Sequence, residues 1–174
     1  MRGGIITGNR STHTGPGTAL VGGVNVHFTG IFNMEGGEIT GNYRLDDMPA
    51  DLVFSGAGVA SLSGNAVVTR LILNGYDSQI TIGADWTGNV RHIDLRVGGA
   101  WAGATADDWI RPANNTVLQA APGQNLPGNT LAMFGSESRR FIGGTEGANR
   151  SFVNDEIPAC QIVIANNVGR VSRI

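Results

Sequence analysis

A nine-residue phrase occurs twice near the start of this chain. Met1-Arg-Gly-Gly-Ile-Ile-Thr-Gly-Asn9 returns as Met34-Glu-Gly-Gly-Glu-Ile-Thr-Gly-Asn42, with seven of nine positions identical. The Gly-Asn pair comes back in Leu62-Ser-Gly-Asn65 and in Trp86-Thr-Gly-Asn89, so the pairs begin at 8, 41, 64 and 88, at steps of 33, 23 and 24. A repeat of about 20 to 30 residues without helix-forming sequence reads as stacked β-structure in which each unit buries its apolar face against the next.

The text between the repeats has strand periodicity. Val24/Val26/Phe28 and Phe32/Met34 alternate in period two, and Ile39 centres a third short run, each bounded by Gly or Asn. Glycine admits the positive φ of a sharp bend, and asparagine tolerates it while hydrogen-bonding up and down a ladder. These features predict an all-β chain, a parallel β-solenoid whose inward column holds Val24, Val26, Phe32, Met34, Ile39, Leu62, Leu71, Leu73, Ile80, Ile82 and Leu95. Asn42, Asn65 and Asn89 are expected at bends, one above another. Residues 10–21 and 43–57 read as outward loops, the second rich in Asp and Pro. The coils are expected over 1–97, with 98–174 as irregular last coils and a β cap of the same structural unit. Within the cap, Thr116–Gln119, Leu131–Phe134 and Phe141–Ile142 read as strands, and Cys160–Ala165 with Val168–Ile174 as a closing hairpin turned by Asn166-Asn167.

Composition excludes several classes. A chain of 174 residues with 41% apolar content and 27 glycines can bury a core, unlike a disordered linker. A formal charge of −2 gives no electrostatic case for binding nucleic acid. All 12 basic residues are arginine, which removes lysine chemistry such as Schiff-base formation. Cys160 is the only cysteine, so no intrachain disulfide forms, and its place in an apolar strand predicts a small buried hydrophobe. No apolar run reaches the length of a membrane span, and Met1 opens no secretory leader. Because Met1 falls where the repeat has Met34, in mid-unit, the chain reads as the C-terminal piece of a longer array. Its open first coil is expected to continue into more chain or to self-associate end to end.

The phrases Phe32-Asn-Met-Glu-Gly-Gly-Glu-Ile-Thr-Gly-Asn42 and Gly22-Gly-Val-Asn-Val26 resemble the glycine-rich repeats of large bacterial cell-surface proteins with right-handed parallel β-helices of the pectin-lyase type. Leu71-Ile-Leu-Asn-Gly75 and Gln79-Ile-Thr-Ile-Gly-Ala-Asp-Trp-Thr-Gly-Asn89 are similar to the rungs that end such arrays. The resemblance implies a right-handed parallel β-helix, an extracellular or cell-surface location, and a non-catalytic scaffold for adhesion, display or glycan binding. It also implies an alternative, a polysaccharide lyase or hydrolase, or a phage tailspike-like fragment.

Glycan hydrolysis needs two carboxylates gathered across one bond. Only Asp46-Asp47 echoes such a pair, in a Pro-containing loop where adjacent aspartates ordinarily form solvated turns, so no catalytic residue is expected. Trp86, Trp101 and Trp109, interleaved with Arg91, Arg96 and Arg111, form a candidate sugar-stacking set. In a chain with so few aromatics, the same indoles also read as core packing between coils and cap. Asp46, Asp47 and Asp51 share one loop and are the calcium candidates, although the nonapeptide calcium motif of other solenoids is absent. His13, His27 and His92 lack the spacing of a zinc site. No cofactor is expected.

Overall fold

The computed structural model describes residues 1–12, 22–44, 47, 49–74, 77–96, 115–133 and 160–173. Two sheets face each other across one core. The first contains β1 (Ile5–Thr7), β2 (Val24–His27), β4 (Glu38–Thr40), β5 (Leu52–Ser55), β7 (Val67–Asn74) and β9 (Asn89–Arg96). The second contains β3 (Ile31–Met34), β6 (Val59–Leu62), β8 (Gln79–Ile82), β10 (Thr116–Ala120), β11 (Cys160–Ala165) and β12 (Val168–Arg173). A single helical turn, α1 (Thr130–Met133), stands where the apolar run Leu131–Phe134 predicted a strand. Among the described residues no helix is long and apolar enough to cross a membrane.

The duplicated phrase sets the first pairing. β1 lies parallel to β4 with Ile5, Ile6 and Thr7 opposite Glu38, Ile39 and Thr40, the 33-residue step of the repeat. The later steps differ. Ile39 lies opposite Val68, Leu52 opposite Leu71, Val67 opposite Asn89 and Val59 opposite Gln79, separations of 29, 19, 22 and 20.

The unequal steps have one local cause. β7 pairs with β9 along its length, while Val67–Val68 pair with β4 and Leu71–Asn74 pair with β5. A strand has two edges, so β4 and β5 share the edge opposite β9 and lie end to end. The row breaks between Thr40 and Leu52 where β7 has Arg70 alone. β1 and β2 lie end to end in the same way over β4 and β5.

The expected right-handed parallel β-helix is corrected by this arrangement. The chain is all-β, but the first sheet is curled, its rows are split or continuous by turns, and the ladder keeps no constant period. The second sheet is mixed. β3, β6, β8 and β10 run parallel, after which β12 and β11 join antiparallel. The expected stack of asparagines fails for the same reason. Asn42 follows β4, whereas Asn65 precedes β7 and Asn89 opens β9, at the other end of parallel strands.

The core lies between the sheets. Val26, Met34, Ile39, Leu62, Leu71, Leu73, Ile80 and Ile82 are buried as the alternation predicts, with Val24 and Phe32 packed partly buried against them. The Leu95 and Cys160 side chains fall outside the described residues. Leu52-Val53-Phe54, expected within a loop, are wholly buried. Val53 joins Ala50 and Ile72 in a small second cluster, so β5 is apolar on both sides and its signal resembles a continuous apolar run rather than an alternation. The closing hairpin forms as expected, with Asn166 and Asn167 at φ 52° and 61°, the left-handed pair a two-residue turn requires.

Candidate functional site

The two split rows break at one place. The chain leaves the first row after β1 and rejoins it at Gly22-Gly23; it leaves the second after β4 and rejoins it at Ala50-Asp51. The base of the break is held by backbone bonds from Gly22 and Gly23 N–H to Ala50 O, at 3.2 and 3.1 Å, and from Ala50 N–H to Asn42 O, at 2.8 Å. Gly23 fits there because a Cβ would lie 2.3 Å from Asp51 O.

Beneath the base runs a buried polar network. Asn42 is fully buried. Its Oδ1 accepts from Asn9 N–H at 3.1 Å and from Asn9 Nδ2 at 2.9 Å. Its Nδ2 lies within bonding distance of Ile6 O, Thr40 O and Asp51 Oδ1 at 3.0, 3.0 and 2.8 Å. Asp51, also fully buried, accepts Asn42 N–H on Oδ1 at 2.9 Å and Arg70 N–H on Oδ2 at 3.0 Å. Burial raises the Asp51 pKa above the usual 3.8, against the opposing pull of its bonds from Asn42 and Arg70. The carboxylate therefore takes the place of ladder partners that the split row cannot supply.

Above the base the surface is polar and aromatic. Arg10 and Tyr43 hold equivalent places after the two Gly-Asn pairs and form a parallel bridge. The Arg10 guanidinium stands 5.8 Å from the Tyr43 ring centroid and pairs with Asp47 in solvent. Tyr43 remains exposed. This platform was not anticipated from the sequence. Its only signal is that Arg10 and Tyr43 follow the same phrase at the same offset.

The predicted site residues are not brought together by the described structure. Trp86 is buried, and its Nε1 donates to Ala66 O at 3.0 Å, so its ring packs the core and leaves the sugar-stacking set. Arg91 is exposed on β9 and Arg96 ends that strand. Trp101, Trp109 and Arg111 lie outside the described residues. Of the calcium candidates, Asp51 faces inward onto three N–H donors and Asp47 faces solvent beside Arg10; Asp46 lies outside the described residues. Among the described residues no cluster of three acidic, His or Cys side chains gathers to hold a metal.

Compared with protein families, characterised proteins and solved structures, the chain shows no significant match.

Proposed function

We propose that this chain is a non-catalytic β-scaffold that presents two loops and their shared base for adhesion or glycan binding at a bacterial cell surface. The observation that carries this reading is the shared break of both rows above a buried, hydrogen-bonded buttress. A rigid base bearing adjacent loops is how binding surfaces are commonly built, because the loops can vary without disturbing the sheets. Tyr43 supplies an apolar face with a polar edge, flanked by Arg10 and Asp47, a combination suited to stacking on a sugar ring. The resemblance of the Gly-Gly-x-Ile-Thr-Gly-Asn phrases to bacterial surface proteins supports the extracellular location.

A glycan array probed with the wild-type chain and with Tyr43→Ala tests the reading. Selective binding that falls at least about tenfold in Tyr43→Ala, a loss on the scale of one buried aromatic contact, is expected. Undiminished binding by Tyr43→Ala, or none by the wild type, removes the platform. A parallel lyase and hydrolase screen that found turnover of a polysaccharide would select the enzymatic alternative instead.

A further inference from the structure

The two copies of the repeated phrase stand in the same sheet but meet different surroundings. β4 has β1 on one edge and β7 on the other, whereas among the described residues β1 pairs only with β4. The glycines show what this means. A Cβ on Gly37 would meet Gly4 O at 2.4 Å and one on Gly41 would meet Thr7 Oγ1 at 3.2 Å, while one on Gly36 would meet Asn65 Oδ1 at 2.4 Å on one side and Arg2 O at 3.2 Å on the other. Gly37 and Gly41 are small where the overlying copy passes. The matching glycines Gly3, Gly4 and Gly8 meet nothing within 4 Å. Gly4 and Gly8 have positive φ of 85° and 71°, which explains them locally, but Gly3 has neither a crowded neighbour nor an unusual φ.

The hydrogen bonds repeat in the same way. Glu35 N–H donates to Met1 O at 2.8 Å and Glu38 N–H to Gly4 O at 3.0 Å, so the outer edge of the lower copy is read by the upper one. In a parallel ladder alternate residues face opposite edges. Ile5 and Thr7, the counterparts of Glu38 and Thr40, therefore turn their N–H and C=O groups to the open edge. Asn9 holds the place of Asn42, whose Oδ1 accepts two bonds from the asparagine above. Arg2 pairs downward with Glu35 at 3.1 Å and stays largely exposed, ready for an acid above it. Ile5 is 66% exposed beside a shallow hollow shared with Gly4, Gly37, Glu38, Asn65 and Val67.

We propose that the open edge of β1 binds a Gly-Gly-x-Ile-Thr-Gly-Asn segment of another polypeptide as an added parallel strand. β1 presents outward the same phrase that β4 presents to β1, so the acceptor surface repeats one that is already occupied within the chain. This is strand addition, with the main chain supplying affinity and the glycine, asparagine and charge positions supplying register. It does not depend on the loop-display reading.

The probe is a synthetic peptide of the Met34–Asn42 sequence, blocked at both ends, added to the isotope-labelled full chain. Saturable one-to-one binding is expected, with amide exchange slowed at Ile5 and Thr7 and unchanged at Ile6. A peptide with both glycines replaced by valine should not compete. The variant Arg2→Glu, at an exposed position, should weaken the glutamate-bearing peptide about two- to fivefold and strengthen a peptide of the Met1–Asn9 sequence, as for an exposed ion pair. No slowing at Ile5 and Thr7 at millimolar peptide, or equal binding of the valine peptide, would overturn the proposal. Protection of those two amides by concentration alone would overturn it too, because a second copy of the chain would then already cover the edge.

Discussion

The row formed by β4 and β5 and the continuous strand β7 lie side by side and solve one problem in two ways. In β7 the chain passes straight from Thr69 through Arg70 to Leu71. In the neighbouring row the same step separates Thr40 from Leu52, with Asn42 and Asp51 at the break. The flanking pairs are undisturbed: Thr40 Oγ1 meets Thr69 Oγ1 at 2.9 Å before the gap, and Leu52 lies opposite Leu71 after it. A parallel sheet thus tolerates an insertion in mid-strand when two buried side chains, Asn42 and Asp51, take over the ladder's hydrogen bonds. Continuity is carried by packing in one row and by a polar seal in the other.

Truncating the continuous row should have the largest effect. Leu71→Ala removes a fully buried side chain between fixed neighbours and should destabilise by about 2–5 kcal/mol, as other buried leucines do. Urea unfolding giving less than about 1 kcal/mol would mean that the rows can slide to fill the cavity. In the split row, Asn42→Ala leaves buried donors and acceptors without partners and should cost about 1–3 kcal/mol. Asn9→Ala, at the exposed copy of the same position, should cost less than about 1 kcal/mol. Equal losses would show that the seal does not depend on burial.

Asp51 sharpens the comparison through pH. Its folded pKa is raised above 3.8, so its share of stability is fully present below that pH and is lost as pH rises through the folded value. Urea melts across the acid range should show this decline in the wild type. Asp51→Asn should flatten it, and should also lower stability because an amide cannot accept from Asn42 and Arg70 on both sides. A wild-type profile that instead rises through the same window would place the net effect with the hydrogen bonds rather than with burial.

The parts legible in the sequence were those carried by short-range pattern. The alternation in Val59-Ala-Ser-Leu62 and Gln79-Ile-Thr-Ile82 predicted which side chains face the core, and the phrase ending at Asn9 and Asn42 predicted one register correctly. The spacing of Gly-Asn pairs misled beyond that point, because Gly41-Asn42 follows a strand while Gly64-Asn65 precedes one and Asn89 opens one. The same dipeptide serves any bend, and its position relative to a strand cannot be read from spacing alone. β5 was hidden in the segment 43–57, since Asp51 looked like a surface turn former until its three N–H partners were seen. Trp86 could be read as a stacking surface or as core packing, and only its bond to Ala66 decides between them. The Arg10–Tyr43–Asp47 platform depended on bringing two loops together across 33 residues, which no local pattern reports.

The closing hairpin bears on time. β11 and β12 meet through two residues, Asn166-Asn167, and a hairpin of that kind forms in about 1–10 μs. Every parallel pairing elsewhere joins segments 19 to 38 positions apart, so each must first close a loop of that size. Among the described residues the hairpin is the one β-unit that can assemble without waiting for distant chain, and β10 then acquires an edge already formed. A refolding chain would show its earliest amide protection at Val163, Val168 and Arg170, the amides that face across the hairpin, with the duplicated phrase at the opposite end of the sequence ordered only as the rows fall into place.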